Sequence, residues 1–116
     1  MRILIGALVL ALLAGCTTPS DLMAGKPEST DFSTKSPKEI ALCVYPAWQD
    51  YRPTAVMNET SNGFRIVAGT DMGQTDDVLD IVWSDERSGS VVKTYRRAAW
   101  SQLGRGGLTA ALNRCL

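Results

Sequence analysis

The sequence predicts an α+β domain, a small antiparallel sheet of about four strands with an N-terminal and a C-terminal helix packed on one face. Three observations predict it. Helix-start and helical-spacing signals gather near residues 36–47 and again near 108–115. The stretch between them holds β-branched and aromatic runs separated by polar turn residues. The order is helix, strands, helix, without the strand–helix alternation that builds a parallel sheet, and no internal repeat occurs.

The first helix opens at Ser36-Pro37-Lys38-Glu39. Ser36 suits the N-cap, Pro37 the first helical position, and Glu39 the far corner of a capping box. Ile40, Cys43, Val44 and Ala47 follow at helical spacing, and Pro46 is expected to end or kink the helix within about a turn. Asn62-Gly63 is a hairpin-turn signal between the strand-like segments 54–60 (TAVMNET) and 64–69 (FRIVAG). Residues 70–77 (TDMGQTDD) read as a loop. VLDIVW (78–83) and SVVKTYRR (90–97) read as two further strands joined by the polar SDERSG. Leu108, Ala111, Leu112 and Cys115 then repeat at i, i+3, i+4 and i+7, the pattern of a short amphipathic helix. The preceding GRGG (104–107) fits a tight strand-to-helix turn better than an anion-binding loop.

The charge distribution selects a strand register. Residues 58–86 carry seven acids against Arg65, and residues 87–116 carry six bases and no acid. These are either two surface patches or neighbours that cancel. If DERS, or its inner ER, forms the turn, Asp80 faces Lys93, Asp77 faces Arg96, and Asp76 faces Arg97. The same register aligns Ile81 with Val92 and Val82 with Val91. Opposite charges across strands are each worth a few tenths of a kcal/mol, which favours this register over a slipped one. A bulge at Gly89 would shift it by one residue.

No constellation identifies a reaction. The acidic segment 71–80 lacks EF-hand spacing, there is no histidine, and no CxxC or Cys/Asp ligand spacing occurs, so no metal or cofactor is expected. Carboxylate pairs for glycoside hydrolysis cannot be told from solvated loop charges. No G-x-S-x-G surrounds any serine. Trp48, Tyr51, Trp83, Tyr95 and Trp100 are expected in the core rather than on a ligand platform. The near-neutral balance gives no reason to expect a nucleic-acid partner.

The N-terminus is of a different kind. Met1-Arg2 precedes an unbroken apolar run from Ile3 to Ala14, the n-region and h-region form of a secretory signal. It is shorter than the ~20 apolar residues of a membrane span. The run closes on Leu13-Ala14-Gly15-Cys16, and here the sequence resembles the bacterial lipoproteins, whose lipobox is leucine, two small residues and cysteine. The resemblance implies cleavage before Cys16, diacylglycerol on its sulfur and an acylated, often palmitoylated, new amino group. Thr17 follows instead of the aspartate that favours inner-membrane retention, which implies an outer-membrane address on the periplasmic side.

Residues 1–15 are then the signal peptide and 36–116 the domain. Residues 16–35, the lipidated cysteine followed by a Ser-, Thr-, Pro- and Lys-rich stretch, read as a flexible tether with a reach of ~25 Å. Of the three cysteines, lipid consumes Cys16, so in an oxidising compartment Cys43 and Cys115 are expected to form one disulfide. Each is placed on the apolar face of its helix. The expected function is that of a non-catalytic, lipid-anchored envelope protein, an interaction or assembly module with the membrane and an envelope protein as partners. The alternative is an inhibitor or immunity-type lipoprotein acting on a cell-wall-degrading enzyme or toxin, and a small hydrolase ranks behind both.

Overall fold

The computed structural model describes residues 18–69, 75–97 and 105–116. In chain order the elements are α1 (Pro19–Met23), β1 (Ser29–Ser33), α2 (Pro37–Tyr51), β2 (Val56–Thr60), β3 (Gly63–Gly69), β4 (Thr75–Ser84), β5 (Gly89–Arg96) and α3 (Arg105–Cys115). Residues 1–17, which hold the expected signal peptide and Cys16, lie outside the described residues, as do Asp71 and Trp100.

Ser36 caps α2 as expected, its hydroxyl accepting from the Glu39 N–H at 3.2 Å. The capping box is not completed, however, because the Glu39 carboxylate accepts from the Ser36 hydroxyl at 3.4 Å instead of from the Ser36 backbone N–H. The helix then runs through Pro46 to Tyr51 instead of ending there. Pro46 and Leu42 both sit on the solvent side, where water can satisfy the Leu42 carbonyl that the missing N–H leaves open. The buried stripe of α2 is Ile40, Ala41, Val44 and Trp48.

The sheet has five antiparallel strands in the order β1-β5-β4-β3-β2. The strand beyond the expected four is β1, which comes from the stretch read as tether; α1 comes from the same stretch and rests against β4 and β5. β1 escapes a sequence reading because STDFS has one large apolar residue and gains its order from pairing with β5. The β4–β5 register is the one that the charges select: Asp77 opposite Arg96, Asp80 opposite Lys93, Ile81 opposite Val92 and Ser84 opposite Gly89. Asp85–Ser88 form the turn, with Ser88 at φ 48°, and Gly89 makes no bulge. Thr75–Asp77, expected in a loop, extend β4 because Asp76 and Asp77 find partners on β5 and just beyond it.

The β2–β3 turn is Ser61-Asn62, one residue earlier than Asn62-Gly63, since Thr60 pairs with Gly63. Gly63 is needed for a different reason. A Cβ there would lie 1.8 Å from the Ile81 carbonyl oxygen, so the glycine allows β3 to reach β4.

Ile66, Leu79, Ile81 and Val92 project from one sheet face and meet α2 and α3, all four fully buried. Each such side chain contributes about 1.5–3 kcal/mol of transfer free energy. Both helices therefore cover the same face, as expected. α3 buries Leu108, Ala111, Leu112 and Cys115, the four residues of its apolar repeat. It starts at Arg105, so Gly106 and Gly107 belong to its first turn instead of preceding it. Gly107 lets the helices meet, because a Cβ would stand 2.5 Å from the Tyr51 ring. The Trp48 indole N–H donates to the Leu108 carbonyl at 3.1 Å and joins α2 to α3.

Cys43 and Cys115 are bonded, with their Cα atoms 5.7 Å apart and 72 positions between them in the chain. Cys115 is buried, but Cys43 is exposed rather than inside the apolar face. It occupies the flank of α2 that faces α3, which suffices for the bond. Tyr51 and Trp83 likewise depart from the core expectation, at 45% and 43% exposed, whereas Trp48 and Tyr95 are buried. Tyr51 ends its helix against α3, and Trp83 stands one residue before the end of its strand, its indole N–H donating to the Asp85 carboxylate at 2.8 Å.

Candidate functional site: the polar cleft between the edge strand and the last helix

The acidic and basic segments meet along the β4–β5 ladder. Asp76 accepts from Arg97 at 2.6 Å, and Asp77 lies 3.4 Å from the Arg96 Nε. Asp80 is opposite Lys93 in register, yet its ion pair at 3.3 Å is with Arg65 on β3. β3 supplies the nearer cation because Arg65 is opposite Asp80 on the other side. Arg87, in the turn, stacks its guanidinium 3.6 Å from the centroid of the Phe32 ring. Much of the charge split is therefore spent within the sheet.

Arg96 is the centre of the densest polar group. Its guanidinium reaches Asp77, fully buried on the helix face of β4, and Glu28, 3.6 Å away just before β1. It also donates to the Thr109 hydroxyl on α3. Alternation along β5 explains the placement: Val92, Thr94 and Arg96 share the face that looks toward α3. On β1 the same face carries Asp31, opposite Val92.

These groups border a cleft of about 240 Å³ between β1, β5 and α3, whose walls include Glu28, Asp31, Thr94, Arg96, Thr109 and Leu112. Its far end is tied down by the C-terminus. Ser33 Oγ donates to the Leu116 carbonyl at 3.0 Å, Lys35 Nζ to the Cys115 carbonyl at 3.3 Å, and Ser90 Oγ to the Lys35 carbonyl at 2.7 Å.

The disulfide pair is brought together as expected, but it stands on the outer flank of α2 and α3 and does not line the cleft. Sequence reasoning missed the cleft because one of its walls, Glu28, Ser29 and Asp31, comes from a stretch that read as tether. The one local signal was the alternation of Phe32 with polar neighbours, too short to define a strand. Among the described residues no group of three or more His, Cys, Asp and Glu could hold a metal ion. Nor is any described helix long and apolar enough to cross a membrane.

No protein family, curated protein or solved structure matches the chain.

Proposed function

We propose that the protein is a lipid-anchored envelope protein, acylated at Cys16, held at the periplasmic side of the outer membrane, and acting without catalysis through contact with another envelope component. The observation that carries this reading is the Cys43–Cys115 bond. It accords with an oxidising compartment, and it leaves Cys16, within the lipobox, as the one cysteine outside the bond. Two or three acyl chains there anchor firmly, where a single chain binds only marginally.

Only Thr17 and Thr18 separate Cys16 from α1, which rests against β4 and β5. The reading thus seats the domain close to the bilayer instead of at the end of a long tether. The turn 85–88 is closed onto Phe32 by Arg87, which gives little support to a projecting inhibitory loop, so the interaction reading stays ahead of the inhibitor reading.

Replacing Cys16 with Ser tests the anchor. The variant is expected to accumulate as an uncleaved precursor that takes up no labelled palmitate, while the native protein fractionates with outer-membrane markers. Normal processing of the variant, or native protein found solely with inner-membrane markers, overturns the reading. Crosslinking of the lipidated protein in intact envelopes, followed by identification of the adduct, tests the partner.

A further inference from the structure

We propose that the cleft between β1, β5 and α3 binds an alkylammonium group through Asp31 and Thr94. The inference stands apart from the lipid anchor, since it rests on the cleft alone. Two carboxylates, Glu28 and Asp31, and a single guanidinium, Arg96, line the cleft, and Arg96 also pairs with Asp77 beside it. Arg96 is already engaged by Asp77, Glu28 and Thr109. Asp31 has no ion pair or hydrogen bond among the described residues, so the cleft carries an unneutralised negative charge. Lys35 does not supply the missing cation, because it lies outside the cleft and donates to the Cys115 carbonyl.

The second observation is Thr94. It lines the cleft, it is 3% exposed, and its Oγ1 is buried with no hydrogen-bond partner. A buried hydroxyl without a partner costs about 1–3 kcal/mol, a cost that a bound donor removes. An ammonium offers three N–H donors and no acceptor. The cleft wall carries Asp31, Thr94 and Asn113, the last in the final turn of α3. The carbonyl end of a helix also favours a cation. An anion would meet Glu28 and Asp31 instead. Leu112 supplies an apolar wall for the alkyl chain, and the cleft of about 240 Å³ has room for it. The ammonium could come from a small free amine or from a lysine side chain, and these are separable.

The test uses the full-length protein in zwitterionic detergent, with backbone amide shifts followed by NMR during titration with pentylamine, an N-acetylated lysine amide and pentanoate. Saturable shifts at β1, β5 and α3 are expected with the two amines and none with pentanoate. Asp31→Asn is expected to weaken amine binding about tenfold, the loss of one charge-assisted hydrogen bond. Thr94→Val is expected to weaken it while raising the melting temperature, a combination that a merely structural threonine would not give. Tighter binding of the lysine amide marks a polypeptide source, and equal or tighter binding of pentylamine marks a free amine. A cleft that holds only water shows no saturable shift with any probe. That result, saturation by pentanoate, or equal affinity of Asp31→Asn and the native protein overturns the proposal.

Discussion

Asp77 and Arg96 stand directly opposite each other across β4 and β5, the carboxylate fully buried and the guanidinium Nε 3.4 Å from it. The pair links the sheet to α3, because the same guanidinium donates to Thr109. Removing one partner of a buried ion pair leaves the other charge in a poorly solvating interior, at a cost of about 3 kcal/mol or more. Arg96→Leu is therefore expected to destabilise the domain by about that amount, and Asp77→Asn added to it should recover most of the loss. Urea unfolding of the four proteins in the cycle measures both effects. Simple additivity would remove the buried pair as a determinant of the fold.

Asp80 offers a contrast because it is only partly buried and lies between two cations. Its coupling to Arg65 should be about 0.5 kcal/mol, given the exposure of the arginine, and should exceed its coupling to Lys93. Two double-mutant cycles with alanine, one for each cation, measure the difference. A larger Lys93 term would mean that the ion pair follows the hairpin and not β3.

The disulfide closes a loop of 72 positions, for which chain entropy implies about 4 kcal/mol of stabilisation. A domain of this size has a total stability on the order of 5 kcal/mol. Cys43 is exposed, so a reductant reaches the bond without prior unfolding. Dithiothreitol should lower the melting temperature sharply, and Cys43→Ser should reproduce the effect. Hydrogen exchange in α3 should accelerate first. Unchanged melting under reduction would contradict the assignment of the bond as the main staple.

Two glycines should respond in opposite senses. Gly63→Ala places a methyl group against the Ile81 carbonyl and should cost more than about 2 kcal/mol, because two paired strands must separate. Gly106 lies exposed in the first turn of α3 with nothing within 4 Å of a Cβ. Gly106→Ala should stabilise by about 0.5–1 kcal/mol through helix propensity and a less disordered unfolded chain. Thermal melts of the two variants check both signs.

What the sequence determined by itself is what depends on neighbours in the chain or on periodic burial. The Ser36 cap, the four buried positions of α3, and the β4–β5 register each follow from local hydrogen bonding or from matching charges and apolar side chains across one turn. The lipobox expectation is of the same local kind. Tertiary structure alone decided the rest. β1 exists because β5 presents a free edge to a polar segment that has little strand character of its own. Pro46 stays inside α2 because burial of Trp48 and Val44 outweighs one lost hydrogen bond on the wet side of the helix. Asp80 turns to Arg65 because a strand distant in the chain supplies a cation that the hairpin pattern could not reveal. The cleft was out of reach for the same reason. Its walls come from residues 28–31, 94–96 and 109–113, and only the folding of β1 and α3 onto β5 brings those three segments together.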